Sequence, residues 1–317
     1  MKKLNVVSHI VLCISILCIP LHAVMFKSPA GAIFVEDFQE NTEVEFGKVV
    51  PGFIQVKTKL ESITSPYQKI DVYDTHYFGK MLVIDDIIML TQRDNFAYHE
   101  MIVHPAMNIH PHPKRVLIVG GGDGGTLKEV LRYDCVQEVI MCEIDEDVIN
   151  ISKKYFPEFK NGFDDPRLTI IAQDAAQYMK SKTNYFDVIC VDSTDPIGPG
   201  AALFEEEFYH NLHKALTEDG IAITQSESIF YSLDFITDLY NQNKKIFKHA
   251  AYYYTAIPTY PSGTIGFSFC SKKYVASKEI SFGRISSFAQ DLNYYNPAMH
   301  KAAFSLPNFV RKSLDAK

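Results

Sequence analysis

The stretch Val116-Leu-Ile-Val119-Gly120-Gly-Gly-Asp123-Gly-Gly125 decides the fold. Four consecutive apolar residues suit a strand covered on both faces. They run directly into glycines spaced G-x-G-x-x-G at Gly120, Gly122 and Gly125. Such glycines permit a tight turn and close approach of the backbone to a nucleotide at a helix N-terminus. Asp123–Tyr133 follows as a helix, Val139–Cys142 as a second strand and Asp145–Tyr155 as a second helix. Glu143, at the end of the second strand, stands about 20 residues beyond the loop, where an acid can hydrogen-bond ribose hydroxyls. Strand, loop, helix, strand and acid arrive in order and point to a nucleoside site. A pyrophosphate over this loop would be repelled by Asp123. The loop suits a ligand that lacks phosphate and carries positive charge, and a sulfonium nucleoside meets both conditions.

The alternation continues downstream. Leu168–Ala172, Val188–Val191 and Ile221–Thr224 read as strands, and Ala175–Lys182, Leu203–Leu216 and Leu233–Phe247 as helices. The repetition predicts an α/β fold with a mostly parallel sheet covered on both faces. Tyr252–Ile257 and Thr264–Cys270 have no helix between them and are expected to pair antiparallel. Upstream, Phe53–Thr58, Tyr67–Tyr73, Lys80–Asp85 and Ile87–Leu90 are rich in β-branched and aromatic residues and read as a small antiparallel sheet. Helical spacing over Arg93–Met107 then ends at His110-Pro-His-Pro113. The expected organisation is a leader at 1–26, a β domain with its connecting helix at 27–110, and an α/β domain at 111–317.

Ligands of parallel sheets bind beyond the carboxyl ends of the strands. Glu143, Asp174, Asp192, Asp195 and Glu227 each stand at such an end, and the rim they form would concentrate and orient a polyamine-like cation. Helix N-capping is the simpler reading for Asp145, and it extends to Asp174. His104, His110 and His112 invite a metal reading, which the prolines at 105, 111 and 113 and the lack of a nearby Cys or Asp oppose. No metal is expected.

The chain has 317 residues, 31 basic against 38 acidic, and a net charge of −7. With 47% hydrophobic and 22% charged residues it is ordinary globular material, which excludes disorder, collagen-like repeats and a disulfide-stapled miniprotein. The acidic balance argues against nucleic-acid binding. Lys2 and Lys3 precede an uncharged stretch, Leu4–Phe26, whose apolar part ends near Ile19 with Ala23 beyond. This resembles a secretory signal or loose anchor, too short and interrupted to span a bilayer. Cys13 and Cys18 lie in the leader; Cys135, Cys142, Cys190 and Cys270 form no CxxC and read as reduced thiols, mostly buried.

In Tyr67-Gln68, Arg93-Asp94, Tyr98-His-Glu-Met101, the loop 120–125, Cys142-Glu-Ile-Asp-Glu146, Asp192-Ser-Thr-Asp195-Pro-Ile-Gly-Pro199, Ile257-Pro-Thr-Tyr260-Pro-Ser-Gly263 and the late run from Tyr294-Tyr295-Asn296 to Leu306-Pro307, the chain resembles the spermidine synthases of the polyamine aminopropyltransferase family. The likeness covers roughly Pro51 to Val310, in order. It implies a Rossmann-like, methyltransferase-type domain behind a small N-terminal antiparallel β domain. It implies decarboxylated S-adenosylmethionine as co-substrate, putrescine as acceptor, and spermidine and methylthioadenosine as products, with no metal or other cofactor. By this resemblance Gln68, Gly120, Gly122, Asp123, Glu143, Asp174, Ala175 and Pro199 hold the donor. His99, Asp123, Asp192, Asp195, Glu227 and Tyr260 hold the amine, with Tyr98, Asp192 and Asp195 catalytic and Asp192 the base. The chemistry agrees: an alkyl amine with a pKa of about 10 arrives protonated, and a carboxylate must take a proton before nitrogen can attack.

The chain departs from the family pattern at Gln92 and Asn95, where acids are usual, at Ala175 for glycine, and at Phe230 for tryptophan. These bear on the acceptor pocket and hence on diamine length. Competing readings are an aminopropyltransferase with another amine acceptor, a nicotinamide-dependent oxidoreductase, which Asp123 disfavours, and a non-catalytic polyamine binder of the same fold. Function places the chain in the cytoplasm, while the leader leaves export or membrane contact open. The family usually pairs through its β domain, so a homodimer or larger homo-oligomer is expected.

Overall fold

A computed structural model describes residues 24–28, 31–35, 53–196, 198–276 and 281–316. Most of the expected leader, residues 1–23, lies outside them, and Val24–Phe26 already belong to the first strand. Among the described residues two sheets form. The first is an antiparallel meander of β1 (Val24–Ser28), β2 (Gly31–Val35), β3 (Phe53–Thr64), β4 (Lys69–Thr75), β5 (Lys80–Ile84) and β6 (Ile87–Thr91), in that order. The second has the order β12-β13-β11-β10-β7-β8-β9. Its strands are β7 (Arg115–Gly120), β8 (Glu138–Cys142), β9 (Leu168–Ile171), β10 (Phe186–Asp192), β11 (Leu216–Gln225), β12 (His249–Ala256) and β13 (Thr264–Ser271). From β9 to β11 the strands are parallel; β13 and β12 add antiparallel, as the missing helix between them predicts.

The chain winds from β7 through β8 to β9 in one direction and from β10 to β11 in the other. The order therefore reverses between β7 and β10, and a crevice opens beyond their carboxyl ends. The register pairs Asp192 with Gly120, so the glycine loop and the end of β10 leave the sheet side by side.

The helices are α1 (Asn95–Ile109), α2 (Gly125–Leu131), α3 (Glu146–Tyr155), α4 (Pro157–Lys160), α5 (Ala175–Lys180), α6 (Glu206–Ala215), α7 (Leu233–Ile246), α8 (Pro297–Ala303) and α9 (Asn308–Asp315). Strand alternation divides the core. Val116, Ile118, Val188, Cys190, Ile221 and Ile223 face α1 and a cluster that also takes in Ile70, Val72, Leu82 and Leu90 of the first sheet. Leu117, Val119, Ile189, Val191 and Ala222 face α6. The two sheets thus share the hydrophobic material around α1. From Ala97 to Ile109 that helix is wholly buried. Pro105 inside it cannot donate to the carbonyl of Met101, and the Tyr253 hydroxyl does so instead at 2.7 Å. Farther along the chain, Glu100 accepts the backbone N–H groups of Asn293, Tyr294 and Tyr295 at 2.8, 2.9 and 2.7 Å.

Some boundaries differ from the sequence reading. The strand read at Tyr67 starts at Lys69, because Ser65–Gln68 form a turn closed by Ser65 N–H on the Gln68 carbonyl. The helix read over Leu203–Leu216 divides into a 3-10 segment, Gly198–Phe204, and α6. Cys142, Cys190 and Cys270 are buried free thiols and Cys135 is half-buried and free. No helix among the described residues is long and apolar enough to cross a membrane.

Candidate active site

A cavity of ≈ 300 Å³ opens at the crevice between β7 and β10 and is roofed by the β5–β6 hairpin, with Ile84, Ile87 and Leu90 on its wall. The N-terminal turns of α1 contribute Asp94, Asn95, Tyr98 and His99. Gly120, Gly122 and Asp123 of the glycine loop, Glu143 beyond β8, Asp174 and Ala175 beyond β9, Asp192 at the end of β10 and Asp195 beyond it line it as well. Glu227 beyond β11, Gln68 of the first sheet and Tyr260 of the β12–β13 loop complete the set. Every residue that the resemblance assigns to the donor, the amine or the catalytic set therefore reaches one cavity, with the exception of Pro199. Of Pro199 the backbone alone is described, in the 3-10 segment beside the cavity-lining Gly200.

The loop is shaped around the carboxylates. Gly120 and Gly121 take φ of +73° and +70°, a conformation side chains disfavour. The Gly121 N–H donates to the Asp192 carbonyl at 3.0 Å, and a Cβ on Gly120 would strike that same oxygen. Asp192 ends β10 with its side chain on the cavity. Thr126, on the first turn of α2, donates its hydroxyl to Asp192 Oδ2 at 2.7 Å, and the Tyr98 hydroxyl stands near the same carboxylate and favours its charged form. Burial, and then repulsion from Asp123, push the Asp192 carboxyl up to about 6 against the opposing pull of His99, Thr126 and Tyr98. His99 Nε2 lies 3.2 Å from Asp123 Oδ2, whose partner oxygen Oδ1 accepts the Gly125 N–H at 2.6 Å. Burial opposes charge on His99, but the carboxylates of Asp123 and Asp192 outweigh it and hold the imidazole above its ordinary value.

On the nucleoside side, Glu143 accepts Gly122 N–H at 3.0 Å on Oε2 and Asp145 N–H at 2.9 Å on Oε1. Burial nevertheless pushes it up to about 7, the two N–H groups opposing, with Asp145 and Asp192 adding repulsion. Asp174 caps α5 by accepting Ala176 N–H at 2.8 Å while it lines the cavity, so capping and site position coexist. Asp145 caps α3, accepting Asp147 N–H at 3.1 Å on Oδ1. Its Oδ2 accepts Ser65 Oγ at 2.6 Å and Gln68 Nε2 at 2.9 Å.

On the far side, Gln225 Nε2 lies 3.3 Å from Asp195 Oδ1 and 3.4 Å from Glu227 Oε1, bridging the two acids. Glu227 has φ of +61°, and its carbonyl accepts the Tyr252 hydroxyl at 2.8 Å. The Tyr260 hydroxyl donates to the Met89 carbonyl at 2.7 Å, and Thr259 donates to Asp94 through N–H and hydroxyl at 3.0 and 2.7 Å. Of the departures, Asn95 lines the cavity, while Gln92 bonds Glu158 and the Lys80 N–H. Phe230 is exposed with its ring against Phe309, and its neighbour Tyr231 lines the cavity.

Thr126, Gln225 and Ser65 were not singled out from sequence, and Asp94 was quoted in the resemblance without a role. Thr126 directly follows the glycine loop and Gln225 ends a parallel strand, so the strand-end rule that picked the acids reaches both. Among the described residues His99, Asp123 and Asp192 bring one donor atom each within 4.8 Å, a grouping a metal ion could use. The sequence reading considered a different trio for metal, whose side chains do not converge: His104 bonds Tyr133, and His110 lies beside Asp219 and accepts the His112 backbone N–H.

Residues 95–280 match the model of the spermine/spermidine synthase domain, and residues 45–92 that of the spermidine synthase tetramerisation domain. The polyamine aminopropyltransferase of Leptospira biflexa is 44% identical over 88% of this chain and 98% of its own length. That of Thermotoga maritima is 42% identical over 84% of this chain and 91% of its own. A solved spermidine synthase in complex with the transition-state analogue AdoDATO is 41% identical, with a TM-score of 0.81 over 84% of this chain and 92% of that one. Joined to a cavity ringed by carboxylates at the switch point of a parallel sheet, these likenesses show that the chain belongs to the spermidine synthase family of polyamine aminopropyltransferases.

Proposed function

We propose that the protein transfers the aminopropyl group of decarboxylated S-adenosylmethionine to putrescine, giving spermidine and methylthioadenosine. Glu143, Asp174 and Gln68 hold the nucleoside, with the glycine loop beneath it. His99 and Asp123 hold the amine of the donor's propyl chain. Putrescine lies between Tyr98, Tyr260 and Asp195, its far ammonium paired with Glu227. Asp192 takes one proton from the near ammonium. The freed nitrogen lone pair then attacks the propyl carbon next to sulfur, the C–S bond breaks, and its electron pair returns to sulfur as a neutral thioether. Raising Asp192 from the ordinary carboxylate range to about 6 narrows the gap to the amine by about two pKa units, about 3 kcal/mol.

The observation that carries this reading is Asp192 itself: a half-buried carboxylate on the cavity, hydrogen-bonded to Thr126 with Tyr98 beside it, at the mouth of a nucleoside loop whose Asp123 disfavours phosphate. The solved relative's complex with AdoDATO supports it. The match of residues 45–92 to a tetramerisation domain supports a homo-oligomer, and the donor's origin inside cells supports a cytoplasmic site of action. Mass spectrometry of products with putrescine, cadaverine and spermidine in competition tests the reading. Putrescine should be consumed first, and Asp192→Asn should lose turnover while keeping methylthioadenosine affinity. Preferred use of spermidine would overturn the acceptor assignment, and full turnover by Asp192→Asn the assignment of the base.

A further inference from the structure

Thr126 is fully buried, and its hydroxyl has a single described partner, Asp192 Oδ2 at 2.7 Å. It stands on the first turn of α2, across the loop from β10, so this bond ties the helix to the strand end that carries the carboxylate. Thr126 does not line the cavity, whereas Asp192 does. A hydroxyl held this way commits one carboxylate oxygen to the protein interior and leaves the other for the cavity. The backbone on the strand side is already held by the Gly121 N–H, and a side chain on Gly121 would crowd Asp192 Oδ2. The Thr126 hydroxyl thus fixes the carboxylate, and the Gly121 N–H fixes the backbone that carries it.

We propose that Thr126 is a positioning residue for the transfer reaction: its hydroxyl orients Asp192 and favours the ionised carboxylate that accepts the amine proton. The inference rests on the reading of Asp192 as base. The groups facing Asp192 are Tyr98 and His99 of α1, Asp123 of the glycine loop, Glu143 beyond β8 and Tyr260 of the β12–β13 loop. Asp123, Glu143 and the surrounding burial oppose ionisation, while His99, Tyr98 and Thr126 support it. Thr126 is the neutral member of the supporting set that stands outside the cavity, so it acts on the base without competing for substrate. A donor to a carboxylate favours the charged form and lowers its pKa; its removal raises that pKa.

The test is the pH profile of kcat in Thr126→Val, which keeps the volume and deletes the hydroxyl, beside Thr126→Ser, which restores it. Thr126→Val should move the acid limb upward by about one pH unit or more, with kcat lowered at pH 7. Its affinity for methylthioadenosine should stay within twofold of the parent. Thr126→Ser should return the limb to the parent position. An unmoved limb in Thr126→Val, with Asp192→Asn inactive, overturns the role of Thr126 and leaves the base assignment standing. A moved limb that serine fails to restore assigns the effect to packing and also overturns it. Full activity in Asp192→Asn overturns the base assignment and Thr126 with it.

Discussion

Gln68, in the turn between β3 and β4, and Asp145, at the head of α3, are joined by a hydrogen bond of 2.9 Å that crosses from one sheet to the other. Ser65 reaches the same carboxylate oxygen at 2.6 Å. One acid thus caps its own helix and fixes the residue that the first sheet lends to the nucleoside side of the cavity. Ser65→Ala leaves the α3 cap intact and removes one tether, along with the acceptor of the Tyr67 and Gln68 N–H groups in the turn. It should lower stability by about 1–2 kcal/mol and raise the donor KM severalfold with kcat within twofold. Urea unfolding and steady-state kinetics check this, and an unaltered donor KM would sever the tether from binding.

Glu143 and Asp192 are held in a protonation state that costs the fold. Their folded pKa values, about 7 and about 6, lie above the ordinary 4.5 and 3.8. A raised carboxyl pKa means the native state favours the proton. The stability it contributes is present below the unfolded value and is lost as pH rises through the folded one. At pH 8 both groups are charged against burial and mutual repulsion. Glu143→Gln and Asp192→Asn should therefore each raise the unfolding free energy at pH 8, by about 3 kcal/mol at most, with the gain shrinking at pH 5. Denaturant melts at the two pH values measure it; equal gains at both would remove the electrostatic explanation.

Glu227 carries its carboxylate on a left-handed backbone that non-glycine residues adopt at a cost of about 1–2 kcal/mol. That strain turns the side chain toward Gln225 and the cavity. Glu227→Gln should raise the KM for the acceptor at least about tenfold while sparing the donor KM. Glu227→Gly should lose the same acceptor binding yet gain up to about 1 kcal/mol of stability by relieving the backbone. An acceptor KM untouched by both substitutions would take Glu227 out of the amine site.

A Cβ on Gly125 would come within 2.1 to 2.4 Å of three ring atoms of His99. The ring cannot yield without leaving Asp123, which it meets at 3.2 Å. Gly125→Ala should therefore cut turnover about 100-fold or more, the scale of a misplacement near 1 Å, with methylthioadenosine affinity retained. Parent-level turnover would mean that the His99–Asp123 contact is dispensable.

How far these features can be read from sequence depends on the range of the interactions that make them. Strands β7, β8 and β10 are legible because they are buried on both faces and read as apolar runs, whereas the register that sets Asp192 beside Gly120 comes from long-range pairing that the sequence does not show. The length of β3 is not legible: Lys59–Thr64 is largely polar and exposed, and pairing with β4 decides it. The rim acids are legible because each follows a strand. The positions of Thr126 and Gln225 can be reached from the loop and the strand end, but their roles and that of Ser65 cannot, since each depends on a partner 66, 30 or 80 residues away.

The three N–H groups that Glu100 receives belong to a segment 193 to 195 residues later in the chain, and Glu100 adjoins His99 and Tyr98. A polypeptide emerging from the ribosome exposes Glu100 long before it can meet those amides. Until then the reacting helix carries a bare carboxylate in what will become the interior. The buried surroundings of Tyr98 and His99 are therefore complete only once residues 293–295 have been made.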